Sequence, residues 1–363
     1  MILRKIACLI FIMLLQNLCF GQYTFSLEKY NSGIKILDFE IVDVKFETKN
    51  NYFGDVFVAN LKKEKIGLKE NIEKSIFQYY KKYNSNKNAK VKVMILVKNL
   101  MLVENSNASK NIDGKISYDF EAYFVNEKDS SKFCNSRNSA KYTRTSQTSM
   151  LPNVEKQFIS VLDGGLNFII KYVSNSKSKM EAFATHSKVI IKPLYSKPSV
   201  DTVYYQQRKV NWNDFQGPFR ASEKYGAAIF SSFGYDSKIY VENYTIYTEI
   251  TPKVFTDKNM SWAKPEVKNS YSLNHEQLHF DICFLNSLRF LKKIKTFDKE
   301  PTQDDLISRI KYEYLEFYRA THNMQEQYDS ETNHSIIKDK QIAWQIKIEE
   351  ALKEIKKEAI FEN

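Results

Sequence analysis

Residues 275–279 read His275-Glu276-Gln277-Leu278-His279, and this run constrains the chain more than any other feature. The H-E-x-x-H pattern has metal chemistry only on an α-helix. There, residues i and i+4 lie one above the other on one face, so two imidazoles can reach a single Zn²⁺ at about 2.0–2.1 Å. Glu276 projects beside that face, placed to act as general base on a water whose pKa zinc lowers toward about 7. The surrounding window, 273–291, is strongly helical in pattern. The chain holds five histidines in all, His186, His275, His279, His322 and His334. The pair at 275 and 279 is therefore not a by-product of a His-rich composition.

A catalytic zinc needs a third protein ligand and an open fourth position. The residues after His279, Phe280-Asp281-Ile282-Cys283-Phe284-Leu285, exclude the metzincin continuation, which needs Gly and His there. The third ligand must come from farther along. A second helix is expected from about 302 to 328, opened by a capping box at Thr302 and Asp305 after Pro301. It should run antiparallel to the first, and its end leads into Tyr328-Asp329-Ser330-Glu331-Thr332-Asn333-His334. His334 is the expected third metal ligand beside His275 and His279. Glu331 and Asp329 are its rivals, and Glu313 or Glu316 would give a His/His/Glu set. Asp281 points away from the metal face and reads as structural. Cys283 reads as a small core residue, and Trp212, Trp262 and Trp344 read as core anchors. Tyr328 is a candidate oxyanion donor, while His186 and His322 read as solvated.

The remaining sequence sets the frame. Arg4 and Lys5 followed by the apolar run 6–15 and Cys19-Phe20-Gly21 predict a cleaved signal peptide over 1–21 and a chain exported to the periplasm or beyond the cell. No other stretch is long and apolar enough for a spanning helix. The formal charge is +11, and loss of Arg4 and Lys5 would leave 52 basic against 43 acidic residues. The lysines are scattered rather than blocked, which suits a solvated surface and possible association with anionic envelope polymers. No zinc finger, RNA-binding signature or basic stripe points to nucleic acid. With ten Gly and seven Pro in 363 residues, collagen-like and Pro/Gly-rich disordered classes are excluded. Two cysteines outside the leader, Cys134 and Cys283, do not make a disulfide scaffold.

An α+β fold in two parts is expected. Residues 22–173 predict a small domain of one sheet and packed helices. A helical stripe there runs over 66–83 and another over 153–172. A strand over 116–124 has Ile116, Tyr118, Phe120, Ala122 and Phe124 on one face. This half lacks histidine and any catalytic grouping, so it reads as an adaptor or substrate-presenting domain. Residues 174–200 read as linker. Residues 201–363 predict antiparallel strands over 227–251, whose edge could pair with an extended peptide, followed by three helices.

Residues 201–345 resemble the domain-of-unknown-function family numbered 922, described as predicted secreted zinc-dependent proteases. The matching pieces are Trp212-Asn-Asp-Phe215 with Gly217, Ser261-Trp262, 275–282, 328–334, and Gln341 with Trp344. One departure is Ser335, where glycine is expected after the histidine. The resemblance implies a zincin-like domain, a Zn²⁺ cofactor and a peptide or protein substrate. Together the readings give a zinc metallohydrolase, foremost a peptidase. The alternatives are a cell-wall amidase and a non-catalytic envelope protein with a structural metal.

Overall fold

The computed structural model describes residues 23–361 apart from 49, 59–60, 87, 108, 110, 127–128, 146–149, 220–221, 223 and 358–359. The expected signal peptide lies outside the described residues. The chain is mixed α+β and divides between Lys177 and Ser178. Among the described residues, no helix is long and apolar enough to cross a membrane.

The first unit is a twisted sheet with two helices. Its strands are β1 (Tyr23–Phe25), β2 (Glu40–Phe46), β3 (Tyr52–Phe57), β4 (Lys63–Leu68), β5 (Lys92–Ser106), β6 (Asn111–Val125) and β7 (Ser130–Thr145). They lie in the order β1-β4-β3-β5-β6-β7, and β2 pairs in parallel with the opening half of β5. The alternation in β6 sorts as its spacing predicts: Ile116, Tyr118, Phe120 and Ala122 are buried. Helix α1 (Ile72–Lys81) buries Ile72, Ile76, Tyr79 and Tyr80. It is shorter than the stripe over 66–83 suggested, because 66–68 close the strand β4 and Asn71 caps the helix by accepting from the Lys74 amide. Helix α2 (Met150–Ser176) packs on β6 and β7. Gly165 makes that approach possible, since a Cβ there would stand 2.9 Å from Tyr118 and 3.0 Å from Phe120. One charge pair is fully buried: Arg144 grips Glu104, whose second partners are the Tyr142 hydroxyl and the Phe57 amide.

The second unit begins earlier than expected. Residues 174–200 are not a linker: α2 continues to Ser176, and β8 (His186–Ile191) pairs in parallel with 245–250 of β11 (Thr245–Ala263). A β-rich stretch, Val189, Ile190 and Ile191, gains a sheet partner that no local signal announces. β11 is the hub of this sheet. Antiparallel β10 (Ala227–Glu242) lines one side, and β9 (Thr202–Tyr204) meets its far half at 255–257. A two-residue turn joins β10 and β11, with Asn243 and Tyr244 both left-handed (φ 48° and 61°).

Three helices follow: α3 (Ser270–Ile294), α4 (Gln303–Thr332) and α5 (Lys338–Lys356). Thr302 caps α4 by accepting from the Asp305 amide. α3 is largely buried from His275 to Leu291, with Leu278, Phe280, Ile282, Phe284, Leu285, Leu288, Phe290 and Leu291 all in the core. α5 anchors the end of α4. Trp344 is buried, packs its ring on Tyr328 (centroids 5.5 Å) and donates its indole N–H to Glu331 (2.8 Å). Trp344→Ala should therefore cost about 3–5 kcal/mol by chemical denaturation. Trp344→Phe, which keeps most of the packing but loses the hydrogen bond, should cost far less.

Candidate metal centre

Helix α3 presents His275 and His279 on one face, one turn apart, and both are buried. The helix starts at Asn269, whose side chain accepts from the Ser272 amide (2.9 Å). Opposite them stands Asp329, in the last turn of α4. Its Oδ1 lies 3.1 Å from His275 Nε2 and 3.0 Å from His279 Nε2. One donor atom from each of His275, His279 and Asp329 falls within 4.8 Å of the others. Ligand atoms about 2.0–2.1 Å from a tetrahedral zinc lie about 3.3 Å apart, so the spacing suits one ion. Two imidazoles and a carboxylate are also a zinc donor set by chemistry. Burial by itself raises the Asp329 carboxyl, but hydrogen bonds from the two histidines hold it well below the usual carboxylate range.

The expected third ligand and its rivals separate here. Asp329 is the group that joins the histidine pair. His334 is not among the three convergent donors. Its Nδ1 stands 3.7 Å from Asp329 Oδ2, the carboxylate oxygen that does not meet the helix histidines. Glu331 turns the other way, to Trp344 and Gln327. Glu316 pairs with Arg319, and neither it nor Glu313 joins the group. The reason lies in the turn after α4. Asn333 ends the helix in the left-handed region, and His334 and Ser335 follow it there (φ 45°, 51° and 72°). The chain thus folds back sharply and carries the His334 ring past Asp329. Ser335, where glycine was expected, has the left-handed φ that glycine favours. Non-glycine residues there cost of order 1 kcal/mol or more each. Hydrogen bonds of the His334 amide to Asp329 O (2.9 Å) and of Tyr271 Oη to Ser335 O (2.7 Å) hold the turn.

Glu276 is buried beside the histidines, and its Oε2 accepts the Ile229 amide at 2.9 Å. That amide is free to do so because alternation along β10 turns Ile229, like Ala227, away from β11. Opposite Ile229 the ladder is interrupted: Ala228 faces Trp262 and Phe230 faces Asp257, so 258–261 of β11 form a bulge. The matching pieces around 211–217 and 261–262 serve this bulge. Asn211 and Asp214 form a capping box on the single turn Trp212–Asp214, and Arg208 clamps Asp214 with two bonds of 2.6 and 2.7 Å. Gly217 then donates its amide to Ser261 O (2.7 Å), and a Cβ there would stand 2.5 Å from Asn259 O. Ser261 Oγ accepts the Phe230 amide (2.9 Å). Trp212 and Trp262 are only half-buried, so they are not the core anchors expected; Trp344 is. Burial pushes the Glu276 carboxyl up to about 7, against opposing pulls from His275 and the Ile229 amide.

The rest of α3 is tied from its other sides. Gln277 accepts the Val210 amide (2.9 Å) and donates to Asp281 (2.8 Å), which also accepts from the Tyr205 hydroxyl (2.8 Å). Asp281 is a structural hub, as its position on the helix suggested. Cys283 contacts Ser231 and Gln325, and burial pushes its thiol up to about 12, so it is an inert core group. Tyr328 stacks on His275 (centroids 4.6 Å) and is fully buried; its hydroxyl has no hydrogen-bond partner among the described residues. His322 is exposed and pairs with Glu326, and His186 is exposed at the start of β8. Together His275, Glu276, His279, Asp329 and His334 line one cleft of about 580 Å³, walled by Tyr225, Gly226–Ile229, Val267 and Ile336.

No protein-family model matches the chain. No curated protein matches it either. Among solved structures, a Xanthomonas campestris protein of the domain-of-unknown-function family 330 is similar at 9% identity and a TM-score of 0.28, covering 43% of this chain and 96% of its own. That likeness is too slight to bear on the site.

Metal uptake by purified protein separates the candidate ligands. Asp329→Ala should abolish stoichiometric zinc binding, as should His275→Ala, whereas Glu331→Gln should bind zinc like the wild type. Zinc retained by Asp329→Ala and lost in Glu331→Gln would reverse the assignment.

Proposed function

We propose that the protein is an exported zinc metallohydrolase, most plainly a peptidase, with its reaction centred on His275, His279, Asp329 and Glu276. The observation that carries the reading is the convergence of three metal donors beside a buried carboxylate in one open cleft. The motif resemblance of residues 201–345 to secreted zinc-dependent proteases supports it, as does the signal-like sequence at 1–21.

His275, His279 and Asp329 would hold the ion and leave a position open toward the cleft. When bound, zinc supplies a Lewis acid for a substrate carbonyl and makes water acidic near neutral pH. Glu276 takes the water's proton. Its burial favours this, because a carboxylate poised near pH 7 both accepts and returns a proton at working pH. The Ile229 amide fixes one carboxylate oxygen and leaves the other for the proton. The same donor set also suits ferrous iron in oxygenases, but those sites do not need a buried base beside the histidines.

The walls favour an extended substrate. Among the described residues, β10 has β11 as its only strand partner, and its other edge faces the cleft at 226–229. The Lys264 amide bonds Gly226 O, which turns Gly226 toward β11. By alternation, the backbone N–H and C=O of Ala227 face the cleft. Small side chains at 226–228 let another backbone come close, in the manner of strand addition.

Glu276→Gln is the direct test. The variant should bind zinc like the wild type, and hydrolysis of a mixed peptide library should fall by about 10²–10⁴-fold, the range for removing a general base. Full activity in that variant would exclude the mechanism.

A further inference from the structure

We propose that His334 is the hydrogen-bond donor that stabilises the substrate carbonyl oxygen as it gains negative charge, rather than a metal ligand, and that Tyr225 is the residue that positions its ring. The assignment rests on the metallohydrolase reading above and adds a role to the same cleft.

The three convergent donors already complete the protein share of a catalytic zinc site without His334. The near nitrogen of His334 is 3.7 Å from Asp329 Oδ2, too long for a hydrogen bond. It also lies against the oxygen turned away from the helix histidines. The imidazole makes no hydrogen bond among the described residues, although it lines the cleft together with His275, Glu276 and His279. A polar ring at that place with both nitrogens uncommitted is available to a ligand. Gln325, by contrast, is committed to Cys283 at 3.0 Å.

The ring is nonetheless held firmly. Three consecutive left-handed residues set its direction, a conformation that persists only where surrounding bonds impose it. Those bonds come from both sides: Asp329 O and Thr332 O accept the amides of His334 and Ile337, and the Tyr271 hydroxyl donates to Ser335 O. The ring also packs against Tyr225, centroids 4.0 Å apart with the planes tilted by 37°. A donor fixed in advance, beside Asp329 and facing the cleft, is what stabilisation of developing charge requires. A ring meant to swing onto the metal would need neither the strained turn nor the packing partner.

The test uses the full zinc-loaded chain as wild type, His334→Ala, His334→Gln, Tyr225→Ala and Asp329→Ala, with Lys224→Ala as a control on the cleft's own lysine. Three quantities are read: zinc affinity by chelator competition, affinity for a phosphinate dipeptide (a tetrahedral anionic mimic), and the kcat and KM of peptide hydrolysis. His334→Ala should keep zinc affinity within about threefold of wild type. It should also weaken phosphinate binding and lower kcat by about 10²–10³-fold, the range for losing one such donor, with KM little changed. His334→Gln, which keeps an N–H donor, should recover part of the loss, and Tyr225→Ala should fall between. A tenfold or greater fall in zinc affinity in His334→Ala assigns the ring to the metal or to Asp329 and overturns the proposal. So does a zinc-bearing wild type that ignores the phosphinate, or a His334→Ala chain that binds it normally. A wild type that takes up no zinc removes the metallohydrolase reading itself, an outcome read in the first measurement alone.

Discussion

Helix α3 buries His275, Glu276, Gln277 and His279 within five residues, and the rest of the second unit is arranged around that fact. Buried polar groups left unpaired cost about 1–3 kcal/mol each, and charged ones more. These side chains therefore draw partners from several elements, although His275 Nδ1 has none among the described residues. Asp329 on α4 meets both imidazoles, the Ile229 amide on β10 meets Glu276, and the Val210 amide meets Gln277. A helix this deeply buried could have been apolar throughout at lower cost. The polar run is tolerable only because the sheet, the 211–217 segment and α4 all converge on it.

That convergence explains where the structure keeps its irregularities. The break in the β10–β11 ladder and the three left-handed residues after α4 both lie at the cleft. The bulge lies opposite Ile229, whose amide bonds the Glu276 carboxylate. The turn presents one imidazole beside Asp329. Elsewhere in the unit, left-handed residues occur at the two-residue turn between β10 and β11, where hairpin geometry requires them. The matching sequence pieces also divide by task. Asp329, His275, Glu276 and His279 face the cleft, while Asp214, Gly217, Ser261, Glu331 and Trp344 hold the frame.

Much of the fold was legible because its signals are local. Helices α3, α4 and α5 carry 3.6-residue spacing, α3 and α4 also carry caps, and β6 alternates cleanly, so these elements lie where their patterns place them. Strand β7 was not legible. Its sequence, Ser130–Thr145, is polar throughout, and as the last strand in the sheet order it needs only scattered buried positions such as Cys134 and Tyr142. Strand β8 falls inside the stretch expected as linker because it forms only through parallel pairing with β11, a contact more than fifty residues away. The boundary at 66–68 misled for the same reason: a helical stripe there overlaps a strand that β3 stabilises.

The candidate site divides the same way. The sequence alone determined the histidine pair and its glutamate, because the i, i+4 spacing on a helix is local geometry that no distant contact can alter. It also named Asp329, Glu331 and His334 as the groups in reach. Which of them meets the histidines was decided only by the crossing of α4 over α3 and by the backbone turn that follows Thr332. Helix rotation aims Asp329 inward and Glu331 toward Trp344, and three left-handed residues carry His334 beyond the donors. Ligand identity at the end of a helix depends on an angle of packing, and that angle is set by side chains spread over the whole unit.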